Sequence, residues 1–340
     1  MVYAFVQRFT SLSVMICALL QFSSIALADE PTRDMGLGQY AHRSWKIGEG
    51  VVAAPIHAIA QTPDGYLWLG TQIGLWRFDG VRAVRWHTPD GRDLPGKWIQ
   101  SLLATRDGRL WIGTDSGLVS WYAGKLTEYP ALAGLDVLAL LVDRDGTVWV
   151  GTESRATSTG RLCAIRDKDV RCDGEDGSLG ARIYSLYEDG DGQLWFTSSN
   201  GVWRWRPGKP KFYPMLDSPT GYFQSLTSGA GGGVLVSARG GLREIVGGKI
   251  QKYPLPSPLP EGPPPWVLTD RNGGLWLGTI GNGVQYVHGG RMDSFERSNG
   301  LSGDQIMKLF EGLEANGFAS MYTHILAGSC CFVGWMEAWN

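Results

Sequence analysis

Charge is sparse in this 340-residue chain: only 19% of its residues are Asp, Glu, Lys or Arg, and the formal net charge is -2. Such a balance leaves no basic footprint for nucleic acid or for an anionic membrane surface. Histidine is scarcer still, and His42, His57, His87, His288 and His324 fall at spacings that form no His-x-x-x-His or other metal pattern. The five cysteines include no Cys-x-x-Cys pair, which excludes the zinc and dithiol motifs. Beyond residue 28 no apolar run approaches the ~20 residues that a membrane-spanning helix needs. These absences point to a chain without metal, cofactor, nucleic-acid partner or membrane span in its mature part.

What is abundant is glycine (48) and tryptophan (15), a composition that favours a turn-rich all-β architecture over helices. Residues 1–28 differ from the rest, with one Arg at position 8, the apolar stretch SLSVMICALLQF and the sequence Ala26-Leu27-Ala28 before Asp29. This is the layout of a secretory signal peptide with an A-x-A cleavage site, and it predicts an exported, periplasmic protein. The alternative is an uncleaved anchor, against which Ser and Gln interrupt the run. Ile16 before Cys17 does not suit a lipoprotein signal. Cys163 and Cys172 face each other if Asp167 and Lys168 make a two-residue hairpin turn, so that in an oxidising compartment they form either a disulfide or two ordinary thiols. Cys330 and Cys331 are adjacent and have no evident role.

The sequence repeats itself. DGYLWLGTQIGLWRF (from Asp64) recurs as DGRLWIGTDSGLVSW (Asp107), DGTVWVGT (Asp145), DGQLWFTSSNGVWRW (Asp191), the degenerate GGVLVSARGGLREI (Gly232) and NGGLWLGTIGNGVQYV (Asn272). Its anchors are Trp68, Trp111, Trp149, Trp195, Leu235 and Trp276, spaced by 43, 38, 46, 40 and 41 residues. Each unit reads as four short strands: IHAIAQ, an Asp-Gly turn, YLWLGT, a Gly-centred turn, LWRF, and a further turn into a fourth strand. Four antiparallel strands in some forty residues, repeated in tandem, are the signature of a β-propeller. The anchors Trp68, Trp111, Trp149, Trp195 and Trp276 are then expected to fill the wedge between neighbouring blades. The glycines are expected in turns that demand positive φ. The threonines after Leu-Gly, Ile-Gly or Val-Gly (Thr71, Thr114, Thr152, Thr279) are expected to satisfy backbone groups at strand ends, not to act as nucleophiles.

The pattern DGxLWxGTxxGLxRF, together with the blade entry GLSGDQIMKLFE and the opening QYAHRSWKIGEG, resembles the two-component regulator propeller repeat family, from about Gln39 to Glu311. That resemblance implies an extracytoplasmic sensor, which in such proteins precedes an Ig-like domain, a membrane helix and a cytoplasmic histidine kinase or diguanylate cyclase. None of those parts is recognisable here, and no catalytic residues carry over. The expected organisation is a signal peptide over 1–28, an N-terminal segment over 29–50 with a strand that closes the ring, propeller repeats over 51–311 with six recognisable blades and an incomplete seventh, and an atypical tail over 312–340. Near Phe318 the expected tile is missing, which suggests a truncated or frame-shifted product of a longer sensor gene. The tail then either improvises strands, leaves six blades to close loosely, or leaves the ring open.

Function is expected to be binding. Loops between second and third strands share one face with the blade-to-blade connections, and the loop around Arg155 is the longest of them. Asp115, Arg155, Asn200, Arg239 and Asn282 are the candidate polar contacts for a small molecule, a glycan or a protein partner. The Pro-rich stretch at 254–265 reads as a stiff connector. A propeller lyase or glycosidase is the alternative, and a non-functional gene fragment a third. Acidic, basic and His side chains converging at one mouth of the axis would favour the enzyme, and a shallow neutral mouth the sensor.

Overall fold

The computed structural model describes residues 54–206, 209–214, 225–263, 265–301 and 305–312, and the strand pairing of 40–46, 319–323 and 331–337. The signal-peptide segment, Cys17, His324 and Cys330 lie outside the described residues. Among the described residues, seven four-stranded antiparallel sheets follow one another. Strand β1 (Tyr40–Lys46) stands apart from the first of them. Blade 1 comprises β2 (Ile56–Gln61), β3 (Leu67–Thr71), β4 (Gly74–Phe78) and β5 (Ala83–Arg85); blade 2 comprises β6 (Ile99–Ala104), β7 (Leu110–Thr114), β8 (Gly117–Tyr122) and β9 (Lys125–Glu128). Blade 3 comprises β10 (Asp136–Val142), β11 (Val148–Glu153), β12 (Leu162–Arg166) and β13 (Asp169–Asp173); blade 4 comprises β14 (Ile183–Glu188), β15 (Leu194–Ser198), β16 (Gly201–Arg206) and β17 (Lys211–Pro214). Blade 5 comprises β18 (Leu226–Ser228), β19 (Val234–Ala238), β20 (Gly241–Val246) and β21 (Lys249–Lys252); blade 6 comprises β22 (Trp266–Thr269), β23 (Leu275–Gly278), β24 (Val284–His288) and β25 (Arg291–Phe295).

The seventh sheet joins the two ends of the repeat. It holds β26 (Ile306–Glu311), β27 (Ala319–Thr323) and β28 (Cys331–Glu337), with β1 as its outer strand. Strand β1 runs antiparallel to β28 from Tyr40 opposite Glu337 to Lys46 opposite Cys331. Of the three fates open to the tail, it supplies strands. First strands of successive blades touch in a closed circuit, β2 to β6, β10, β14, β18, β22, β26 and back to β2. Ile306 and Leu309 of β26 pack with Trp276 of blade 6, while Phe310 packs against the Ile56 cluster of blade 1.

The repeated anchor belongs to the core of the next blade. Trp68 packs with Ile99, Leu110 and Ile112 of blade 2, Trp111 with Val137, Val148 and Val150 of blade 3, and Trp149 with Ile183, Leu194 and Phe196 of blade 4. Trp195 packs with Leu226, Val234 and Val236 of blade 5, and Leu235 takes the same position toward blade 6 with Val267, Leu275 and Leu277. A flat side chain in this wedge covers apolar surface on both sheets at once. Its polar edge has a fixed partner as well. The indole Nε1 donates to the residue six positions earlier, from Trp68 to Thr62 Oγ1 (2.9 Å), Trp149 to Asp143 Oδ2 (2.7 Å), Trp195 to Asp189 Oδ2 (2.8 Å) and Trp276 to Asp270 Oδ2 (2.7 Å). The same Asp143 accepts from the backbone N–H of Asp145 and Thr147, and Gly146 closes the turn at φ +80°. One carboxylate therefore holds both the hairpin turn and the wedge. In blade 2 Trp111 Nε1 is buried without a hydrogen-bond partner.

The glycine before the threonine corrects the sequence reading. Gly70, Gly113, Gly151 and Gly278 do not sit at positive φ. A Cβ on them would lie 2.5 to 2.6 Å from Ile99 Cγ2, Val137 Cγ1, Ile183 Cγ2 and Ile306 Cγ2 of the following blade. Close approach of two sheets is what requires glycine here. The threonines beside them behave as expected: Thr71, Thr114 and Thr279 donate to the carbonyls of Gly74 (2.7 Å), Gly117 (2.9 Å) and Gly283 (2.8 Å). Polar stitches add to the contact between blades. Arg144 in the blade 3 turn donates its backbone N–H to Glu188 Oε2 of blade 4 (2.9 Å), and Arg271 of blade 6 does the same to Glu311 Oε1 of blade 7 (3.1 Å).

Candidate functional site

In blade 3 the β12 to β13 hairpin turns at Asp167 and Lys168, with Asp167 at φ +57°, and sets Cys163 opposite Cys172. The two are joined as a disulfide, with Cα atoms 4.0 Å apart. It braces the outer half of the blade that carries the long 154–160 loop.

That loop enters a charged cluster at the start of the innermost strands. Asp136 opens β10 and pairs in register with Glu153 at the end of β11. Arg155 Nε lies 2.6 Å from Asp136 Oδ2, and Arg182 Nε, just before β14, lies 2.7 Å from Glu153 Oε1. Asp115 follows Thr114 on the blade 2 turn, and Gly134 N–H bonds to Ser116 O (3.0 Å), which holds the entry to blade 3 beside that turn. Burial pushes the Asp136 carboxyl above the ordinary range; Arg155 opposes the shift, and the charges of Glu153 and Asp115 add to it. The Glu153 hydrogen bond leads in raising the Arg182 pKa. Two acceptors remain over: Asp115 Oδ1 and Asp136 Oδ1 are buried with no hydrogen-bond partner. Asp136 as a residue is 3% exposed.

Beside the cluster, between blades 1 and 2, a cleft of about 420 Å³ is lined by Arg85, Trp86, Leu94, Lys97, Asp115 and Ser116 among others. Asp115 thus belongs to both the cleft and the cluster. Trp98, next to this wall, stands with its ring 5.4 Å from that of His57. No group of metal-ligating side chains occurs among the described residues.

Of the five candidate residues, Asp115 and Arg155 come together here through Asp136. Asn200 sits on the blade 4 turn, bonded to Ser198 and against Gly180. Arg239 is exposed on the blade 5 turn and forms no ion pair among the described residues, and Asn282, on the blade 6 turn, accepts from Gln285 Nε2 through its backbone carbonyl at 2.9 Å. These two share the face without joining the cluster. Asp136, Glu153 and Arg182 were not singled out by sequence reasoning. A signal existed, since Asp136 occupies the strand entry where blades 1 and 2 place Pro55 and Trp98. The Pro-rich connector packs Tyr253, Leu255 and Leu259 onto the core between blades 5 and 6, as a stiff brace would.

Four segments, residues 50–72, 93–116, 131–154 and 177–200, match the family described as Two component regulator propeller. No curated protein matches the chain. Among solved structures, the chain is similar to the extracellular domain of BT3049 from B. thetaiotaomicron, assigned to a hybrid two component system (TM-score 0.67, 16% identity, 86% of this chain and 42% of that one). It is also similar to the extracellular domain of BT4673 from the same organism, assigned to a one component system (TM-score 0.67, 19% identity, 90% and 40%). Virginiamycin B lyase from Staphylococcus aureus shares the fold over 86% of this chain and 99% of its own (TM-score 0.65, 12% identity). The chain therefore spans about two fifths of the two extracellular domains and nearly all of the lyase. At these identities the likeness shows the fold, a β-propeller, and four of its blades carry segments that match the two-component regulator propeller repeat.

Proposed function

We propose that the chain is the ligand-binding sensor propeller of an exported signal-transduction protein, working in the periplasm. The observation that carries this reading is the convergence of Asp115, Asp136, Glu153, Arg155 and Arg182 at the entry edge of blades 2 to 4, beside the 420 Å³ cleft. It supports binding because a rigid ring presents fixed polar groups at a concave site, two of them with unfilled hydrogen-bonding capacity. Family matches at four blades and the likeness to extracellular sensor domains support the signalling context. Screening the purified chain against a small-molecule library by thermal shift tests it. At least one compound is expected to raise Tm in wild type and not in Asp115→Asn or in Arg155→Ala; a library that shifts nothing would overturn it.

The same convergence favours a second reading, a propeller lyase, since carboxylates and guanidiniums meet at one mouth of the ring. Incubation with uronate-containing polysaccharides and cyclic esters, followed for the absorbance of an unsaturated product, separates the two. Turnover that Arg182→Ala abolishes would place the enzyme ahead.

A further inference from the structure

We propose that the mouth at blades 2 to 4 receives an organic ammonium or guanidinium group, held between Asp115 and Asp136. The inference rests on the ligand-binding reading above and names the class of ligand. Its first support is charge. Asp115, Asp136 and Glu153 face two cations, Arg155 and Arg182, and each arginine already has one carboxylate at 2.6 to 2.7 Å. Asp115 has no ion pair among the described residues, so within the cluster itself one negative charge is left over; Arg85, Arg92 and Lys97 line the adjoining cleft without pairing with it.

The second support is hydrogen bonding. Asp136 is 3% exposed, yet Oδ1 accepts nothing while Oδ2 takes the Arg155 bond. Asp115 Oδ1 is likewise buried and unfilled, against Gly96. A buried ionised acceptor without a donor is costly, and an N–H group carrying positive charge supplies both missing quantities at once. A neutral hydroxyl would supply the donor and not the charge; an anion would supply neither.

The third support is the position of Arg155. Its side chain is 59% exposed, on the loop longer than its counterparts in other blades, and it reaches inward to a carboxylate whose side chain is 3% exposed. Arg155 thus shows that the Asp136 carboxylate accepts a guanidinium arriving from the solvent side. Trp86, packed edge-on against Trp68 and Trp121, lines the adjoining cleft, and an aromatic ring there favours an organic cation over a bare inorganic one.

Isothermal titration with agmatine, which carries an ammonium at one end and a guanidinium at the other, tests the class. 1,4-butanediol serves as the neutral control and glutarate as the anionic one. Saturable binding of agmatine alone is expected, at least tenfold weaker in Asp115→Asn and unchanged in Lys249→Ala, which alters an exposed residue on the outer strand of blade 5. Matching near-UV circular dichroism and Tm establish that each variant is folded. No saturable binding of agmatine, or equal affinity in wild type and in Asp115→Asn, would overturn the inference. If the library instead yields a neutral or anionic ligand whose effect needs Arg155, the class is wrong and the sensor reading stands. If no compound binds at all, both fall.

Discussion

Gly151 of blade 3 and Ile183 of blade 4 meet so closely that a Cβ on the glycine would lie 2.6 Å from Ile183 Cγ2 and 3.1 Å from the Ile183 carbonyl oxygen. Because a backbone atom is part of the contact, rotation of the isoleucine alone does not relieve it. Gly151→Ala should destabilise the chain by about 1 to 3 kcal/mol, the usual cost of overpacking. Ile183→Ala in the same chain should recover only part of that loss. A double-mutant cycle from urea denaturation measures the coupling, and strict additivity would refute the contact as the cause.

Asp189 holds Trp195 at 2.8 Å and accepts the backbone N–H groups of Asp191 and Gln193 at 3.0 and 2.8 Å. Asp189→Ala removes all three bonds and leaves a buried indole N–H unfilled, so a loss of roughly 2 to 4 kcal/mol is expected. Asp191→Ala, two residues further along the turn and exposed, should cost under about 0.5 kcal/mol. Equal losses in the two variants would mean that the indole contact contributes nothing. Near-UV circular dichroism would show in addition whether Trp195 keeps its packing.

The fold was legible in the sequence because the tile combines turn chemistry with a two-residue alternation, and both are local. Spacing of five tryptophans and Leu235 marked six of the seven blades, and Asp167-Lys168 gave the register that joins Cys163 to Cys172. What was not legible depends on contacts between units. Gly70 and Gly151 look like turn glycines until the next blade is set against them. Asp136 looks like the end of a linker until Arg155, nineteen residues later, turns back onto it. The tail is the sharpest case: β27 and β28 carry no tile, and their place follows from pairing with β26 and β1, which lie at opposite ends of the chain.

Lys308 gives a pH signature. Its Nζ lies 4.5 Å from the centre of the Trp266 ring, and desolvation pushes its pKa down to about 8 from the ordinary 10.5. Between these values the folded chain carries the neutral amine while the unfolded chain carries the proton. The unfolded state therefore binds more protons, and stability should rise with pH from about 8 to 10.5. Lys308→Met should flatten that rise and raise Tm at pH 7. Parallel pH profiles for wild type and variant would contradict the assignment.

Reduction of the Cys163 to Cys172 bond releases a loop of nine residues' separation. Loop-closure entropy for a ring of this size is worth roughly 2 to 3 kcal/mol, and the hairpin is already ordered by its turn. Dithiothreitol, or Cys172→Ser, should lower Tm by a few degrees in a single cooperative transition. Labelling of Cys163 and Cys172 themselves in the untreated, denatured chain, located by peptide mapping, would show that the bond does not form.

The central claim is that ligand binds where blades 2 to 4 begin, and hydrogen–deuterium exchange with a stabilising compound locates that binding directly. Slower exchange is predicted in 113–118, 134–138, 152–160 and 180–184, with the turns at 62–66, 105–109 and 143–147 on the opposite face unchanged. Protection confined to those turns, or to the outer strands, would contradict the account.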